Sequence, residues 1–358
     1  MAGEPGLGED RAQAGQAMRT SEFHLAANRR QHFAALEPKV WLETSLLRTW
    51  VIADPQVIAK VLRSRHAVIL SVEEFIDSIE RAYDVTFPCV RFAARHLPLF
   101  LEGDIHAERR RSFSRYLASR MAELERHLPD LVAGRLEPFR RKGVVDLVSE
   151  VTGPLVRDIN SIFVERQVTE EIGALNLLDL FALNKSVRRF KDLEERVGRA
   201  IAFLAAEGED EDLLGSRFSA LTMGFETLMT MLTEDLHTAF HDHAGDRVRL
   251  PDYPIETGVP LSYRRAGSDF EMGGYAFKAG DLLRLQMQTT GYSGRRADRE
   301  TMFGAGTHSC VGKQASLRIW NALKQAFDAM EVRGRVKASE LVPSHYMVRH
   351  SFVHVEVI

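Results

Sequence analysis

A mainly helical chain with a small β region is the fold class this sequence predicts, and three observations predict it. No proline occurs between Pro154 and Pro251, and apolar residues recur through that span at helical spacing. Strand patterns are few and short. The one clear hairpin pattern is "DFEMGGYAFKAGDLLRLQMQ", where apolar and polar residues alternate around Gly273-Gly274 and then Gly280-Asp281.

In chain order, "TWVIAD" reads as an early strand and "PQVIAKVLRS" as a short helix after it. "HAERRRSFSRYLASRMAELERHL" reads as a basic-faced helix, and "VVDLVSEVTGPLVRDINSIF" as another, nearly apolar on one face. The clearest helix starts at about Glu211 after "EGEDED" and runs through "LLGSRFSALTMGFETLMTMLTEDLHTAF". Its acidic start suits the positive end of a helix dipole. At nearly three times the average helix length of about 11 residues, it is expected to cross the whole domain. "SFVHVEVI" closes the chain as a strand.

The chain has 358 residues, 45% of them hydrophobic and 27% charged, with a net charge of -3. That is ordinary globular composition. No linker-like run divides it, so residues 21–358 read as one domain. Residues 1–20, beginning "MAGEPGLGEDRAQAGQ", read as a disordered tail without the features of a secretion signal. The longest apolar runs, such as "AIAFLAA", fall far short of a membrane span. The near-neutral charge leaves no footprint for nucleic acid. Two cysteines, Cys89 and Cys310, exclude a disulfide framework and fit a reducing cytoplasm.

Cys310 lies in "FGAGTHSCVG", just before a helical stretch. A lone cysteine is most often a small buried hydrophobe. Structural zinc would need four Cys or His ligands, and a nucleophile would need a general base that the sequence does not identify. A haem-iron ligand explains more. A thiolate at a helix N-terminus is stabilised by unpaired N–H groups. Gly304, Gly306 and Gly312 let the backbone approach a flat ligand.

Here the sequence resembles the cytochrome P450 family. Phe303, Gly306, His308, Cys310 and Gly312 fill each fixed position of the haem-binding loop F-x-x-G-x-[RH]-x-C-x-G. Other stretches resemble the family in the right order. His106 and Arg110 match the H-x-x-x-R of one helix. Gly224, Glu226 and Thr227 match the central motif [AG]-G-x-[DE]-T, and "PLSYRRAGSDFEMGGYAFKAGD" is similar to the segment leading into the substrate-side hairpin. The resemblance implies a shortened P450-like fold holding haem b, with Cys310 as the axial thiolate on iron. It implies that Phe303 packs beside the sulfur. His106, Arg110, His308 and one of Arg264 and Arg265 would then hold the two haem propionates. It further implies that Gly224 opens a gap for oxygen while Glu226 and Thr227 relay protons toward it. Met223 and Phe225, on either side, face either substrate or core.

The chain departs from the family in three ways. It is short. No E-x-x-R lies between Thr227 and Pro260, where Asp246 and Arg249 form a D-x-x-R replacement candidate and Glu256 has no arginine at the family's spacing. The segment "TTGYSGRRADRET" lacks the usual meander, and Arg318 falls one place late in "CVGKQASLRIW". The resemblance implies an oxidoreductase, by monooxygenation or a related oxidation of a small or specialised metabolite. A ferredoxin-type donor with its reductase, or a peroxide, would drive it. The alternative is a non-catalytic helper of this fold that activates a partner enzyme. Such helpers tend to lose the cysteine and the acid–threonine pair, and this chain keeps both. Between Ser71 and Leu101 lies the expected pocket-forming region, with Cys89 read as a structural thiol.

Overall fold

The computed structural model describes residues 29–358 apart from 38, 45–46, 142, 182–185 and 343–348. The expected tail at residues 1–20 lies outside the described residues. Near the N-terminus, α1 (Arg29–Ala34) precedes the hairpin of β1 (Val40–Thr44) and β2 (Arg48–Ile52). The helix α2 (Pro55–Arg63) follows at once. Asp54 caps it by accepting from the N–H groups of Gln56 and Val57, and Pro55 occupies the first turn, where a missing N–H costs nothing. Strand β3 (Ala67–Val68) is short, and α3 (Val72–Tyr83) and α4 (Pro88–His96) complete the first third.

The long helix α5 (Gly103–Leu136) continues eight residues beyond the expected end, straight through Pro129. One proline removes a single backbone bond, and the buried Leu128, Val132 and Leu136 hold the far turns against the core. The next segment corrects the expectation of one helix over "VVDLVSEVTGPLVRDINSIF". Its start is β4 (Gly143–Asp146), then one wide π turn over Leu147–Thr152, then α6 (Gly153–Val164). Val144 and Val145 are strand because β10, the last strand of the chain, offers them a ladder. That is a tertiary cause invisible to local periodicity.

After the short α7 (Glu170–Gly173) come α8 (Val187–Leu204) and the 32-residue α9 (Glu211–Asp242). At 1.5 Å per residue, α9 is about 48 Å long. It is buried along most of its length and packs on α4, α5, α6 and α8. Phe218, Leu232, Leu236 and Phe240 are almost fully enclosed.

Four strands follow: β5 (Leu261–Ala266), β6 (Phe270–Met272), β7 (Tyr275–Phe277) and β8 (Leu282–Gln286). The five-stranded sheet runs β1-β2-β8-β5-β3, with β2 and β8 parallel and the other neighbours antiparallel. The expected turn at Gly273-Gly274 joins β6 to β7, and both glycines have positive φ. Two short helices, α10 (Gln288–Tyr292) and α11 (Arg296–Glu300), lead to the Cys310 loop. Helix α12 (Lys313–Met330), β9 (Gly334–Val342) and β10 (Arg349–Val357) end the chain. Strand β10 lies between β4 and β9.

Two features support the Cys310 loop from below. Trp320 on α12 is fully buried and donates its indole N–H to Pro251 O at 3.0 Å. Glu256 is buried and accepts from the Tyr292 hydroxyl at 2.7 Å and from Thr238 at 3.3 Å. It thereby ties the segment after α9 to α10. The Asp246 and Arg249 replacement does not hold: both are exposed in the turns after α9, and no ion pair joins them. Arg318 is an exposed partner of Glu125 on α5, at 2.7 Å.

Tyr292→Phe deletes the hydroxyl that donates to a buried carboxyl. It is expected to lower stability by about 1–3 kcal/mol in urea unfolding, with the far-ultraviolet helical signal of the folded state unchanged.

Candidate functional site

A cavity of about 550 Å³ lies between α9 and the Cys310 loop. Its walls are mostly apolar, including Leu62, Phe75, Phe100, Phe181 and Met231. On one side stand Met223, Gly224 and Thr227 of α9. Across from them stand Phe303, Gly304, His308, Cys310 and Gly312. His106, Arg110, Arg264 and Arg265 complete the wall.

The loop that presents Cys310 is shaped by its own backbone. Cys310 N–H donates to Phe303 O at 2.6 Å, closing the loop on itself. Gly304 and Gly306 sit at φ +75° and +69°, in the left-handed region. A Cβ on Gly304 would lie 2.9 Å from His308 O, and one on Gly306 would lie 2.8 Å from Leu62 O on α2. Both glycines therefore permit close chain-to-chain contact, and of the two only Gly304 also lines the cavity. Gly306 is exposed and is not part of the cavity wall.

Cys310 has substantial accessible surface, yet its sulfur lies deep within protein. Both are true because that surface faces the cavity instead of bulk water. Burial pushes the thiol up, while N–H groups of Gly312 and Lys313 and the charge of Arg110 pull it down. Those two N–H groups open α12, so the helix end favours the thiolate. Phe303 packs edge-on to Tyr253, with ring centroids 6.1 Å apart, and Lys313 sits over its face at 5.9 Å.

The basic groups gather at one part of the wall. The rings of His106 and His308 lie 4.1 Å apart, and the Nε2 atom of each is buried without a hydrogen-bond partner. Burial holds both imidazoles below their ordinary range; His106 and Arg264 add to the effect at His308, and Arg110 to that at His106. Arg264 is 5% exposed, and burial takes its guanidinium down to about 10. It donates to Tyr263 O at 2.7 Å and Ser262 Oγ at 3.1 Å. Arg110 donates to Ser309 Oγ at 3.1 Å. Among the described residues, neither arginine has a carboxylate partner in an ion pair. Of the Arg264 and Arg265 alternatives, Arg264 is the buried one and Arg265 is exposed. Among the described residues, Glu102 is the acid in an ion pair with this group, 3.5 Å from His308 Nε2, an ion-pair distance and not a good hydrogen bond.

On α9, Gly224 and Thr227 reach the wall but Glu226 does not. Glu226 is 7% exposed and turns toward the Leu177–Phe181 turn, where Leu178 N–H bonds to it. Burial lifts its carboxyl from 4.5 to about 7, against the pull of Arg349. Thr227 donates its hydroxyl back to Met223 O. Met223 lines the cavity, whereas Phe225 is buried in the core. From the region between Ser71 and Leu101, Ser71, Phe75, Leu99 and Phe100 line the cavity and Phe87 fills the core. Cys89 is half-buried, with its thiol pushed up to about 11 by burial and by Glu194.

Sequence reading missed Asn160 and Glu102. Asn160 on α6 is 1% exposed and lines the cavity, and its Oδ1 has no hydrogen-bond partner beside Gly224. The available signal was a carboxamide on the same helical face as Val156, Ile159 and Phe163. Glu102 offers no such signal, because only the folded chain brings it to His308.

Comparison with solved structures follows from this geometry. The protein is similar to P450BioI in complex with hexadec-9Z-enoic acid ligated acyl carrier protein, at TM-score 0.72 and 14% identity, over 94% of this chain and 100% of that one. It is similar to the myxobacterial cytochrome P450 CYP267B1 in complex with myristic acid, at TM-score 0.71 and 18% identity, over 94% and 98%. The chain has the cytochrome P450 fold. P450 RauA, complexed with a biosynthetic intermediate of aurachin RE, matches at TM-score 0.68 and 16% identity over 97% and 99%. No family model and no curated protein matches the sequence. The P450 fold is therefore carried here at an identity where only the backbone is shared. Among the described residues no helix is long and apolar enough to cross a membrane.

Glu226 generates a pH prediction. Its carboxyl is protonated more readily folded than unfolded, so its contribution to stability falls as pH rises from 4.5 to about 7. Glu226→Gln is expected to gain up to about 3 kcal/mol over the parent at pH 8. The gain should vanish by about pH 4.5, as read from denaturant unfolding at both pH values.

Proposed function

We propose that this protein is a haem-thiolate oxidoreductase acting on a small, largely apolar metabolite, with Cys310 as the axial ligand. One observation carries the reading: a buried thiol and a cluster of buried guanidinium and imidazole groups share one cavity, and among the described residues neither Arg110 nor Arg264 has a carboxylate partner in an ion pair. Buried guanidinium and imidazole groups of this kind call for an anionic partner. The two propionates of haem b fit that demand, and an iron(III) or iron(II) ion fits the thiol. When bound, haem supplies a redox-active iron for oxidation chemistry.

The chain's own residues would divide the work as follows. Arg264 and Arg110 would pair with the carboxylates, and the free Nε2 atoms of His106 and His308 would donate or accept beside them. Arg265 stands at the rim. Metal binding would take the proton from the sulfur, and the Gly312 and Lys313 N–H groups would stabilise the thiolate so formed. The apolar wall excludes water and binds an apolar substrate. Gly224 leaves room beside α9. Glu226, poised near neutral pH, holds a proton on the far side of the helix from the cavity and can release it at working pH. Thr227 orients water at the cavity wall. Insertion of one oxygen atom from dioxygen would draw two electrons from a ferredoxin-type donor and its reductase; a peroxide would supply oxygen and oxidising equivalents together.

Purified protein is expected to take up haem b and, when reduced under carbon monoxide, to show the red-shifted Soret band of a thiolate ligand. Cys310→Ser should abolish that band. Haem-loaded parent protein without it would reject Cys310 as ligand, and protein that takes up no haem would favour the non-catalytic helper.

Thr227→Ala should retain haem and the carbon monoxide spectrum but separate reductant consumption from product formation, lowering the coupled fraction about 10-fold or more. Full coupled turnover in that variant would remove Thr227 from the proton path.

A further inference from the structure

Two turns along α9 from Thr227, a second group of metal-binding side chains comes together. Glu234 and His237 are three residues apart, so they lie on one face of the helix. Strand β10 brings His350 against them. One donor atom from each of the three lies within 4.8 Å of the others. Glu234 Oε1 and His350 Nε2 are 2.7 Å apart, on side chains 1% and 2% exposed. The rings of His237 and His350 have centroids 5.0 Å apart at 40°.

The close Glu234–His350 approach is not aligned as a hydrogen bond, and neither ring nitrogen of His350 has a hydrogen-bond partner. A fully buried imidazole in that state is costly. The surroundings are also rich in carboxylates: Asp235 is buried next along the helix, where its Oδ1 accepts from the N–H groups of Ile255 and Glu256.

We propose that Glu234, His237 and His350 bind a divalent transition-metal ion of the zinc class, fastening α9 to β10. Two imidazoles and one carboxylate suit zinc and its neighbours, not calcium or magnesium, which prefer all-oxygen shells. Metal–ligand distances of about 2.0–2.2 Å put ligand atoms about 3.0–3.4 Å from one another. The 2.7 Å gap therefore opens by a few tenths of an ångström. His237, the partly exposed member, rotates in to close the wider ones. Water completes the shell from its side. Such an ion would join the central helix to the last strand independently of the haem cavity.

The test is zinc binding by the purified full chain after chelator treatment, in competition with a chromophoric chelator, alongside thermal unfolding. Expected are one zinc per chain at micromolar affinity or tighter, a zinc-dependent rise in Tm, and no response to magnesium. His237→Ala, at the partly exposed position, should weaken zinc at least 10-fold while the metal-free variant still folds. His350→Gln should do the same. Cys310→Ser should leave zinc binding unchanged. Failure to bind zinc at micromolar concentration would overturn the proposal. So would unchanged affinity in His237→Ala, which would place the ion on the exposed His241 and half-buried His243 instead.

Discussion

Desolvated positive charge is the constraint around which this molecule is arranged. Arg264 sits 5% exposed on β5, Arg110 on α5, and His106 and His308 stack beside them with unsatisfied nitrogens. Removing such groups from water is unfavourable without a compensating anion. Three separate parts of the fold meet here: the start of α5, strand β5 of the larger sheet, and the Cys310 loop. The Arg110 and Arg264 guanidiniums repel one another across the gap, the imidazoles are held below their ordinary range by burial, and among the described residues Glu102 is the acid beside them. A dianionic ligand would convert the repulsion into the strongest cohesive contact between these elements. Such a ligand, binding the folded chain and not the unfolded one, would add to the stability of the fold.

Much of this was legible in the sequence where the cause is local. The capping Asp54 and Pro55 mark the start of α2, and the acidic start and helical spacing mark α9. The glycine pair marks the β6–β7 turn. The family resemblance assigned Cys310, His308, His106 and Arg110 to one site, and the fold brings all four to one cavity wall. The failures have distant causes. Strand β4 forms because β10, some two hundred residues later, pairs with it. Helix α5 crosses Pro129 because the core holds its last turns. The candidate metal ligands on α9 were likewise hidden, since Glu234 and His237 come together with His350 only when β10 delivers it.

Helix geometry separates the two residues of the acid–threonine pair. Glu226 and Thr227 are consecutive on a helix, so about 100° separates them and they cannot share a face. The structure puts Thr227 at the cavity and Glu226 behind it, against Leu178. Matching a motif treats neighbours in the chain as partners in space. Helix geometry says that the acid must work through something else.

The bond from the Thr227 hydroxyl to Met223 O has a consequence for timing. A hydroxyl has a single hydrogen, and here that hydrogen is committed to the helix. In this rotamer Thr227 has only lone pairs to offer and can receive a proton but not give one. Under the proposed role, delivery would begin with the hydroxyl turning away from that carbonyl, so the side chain would act as a latch whose default position is shut. Any occupant that accepts from the hydroxyl would compete directly with a main-chain carbonyl. Release of the proton would thus be conditional on that occupant being in place.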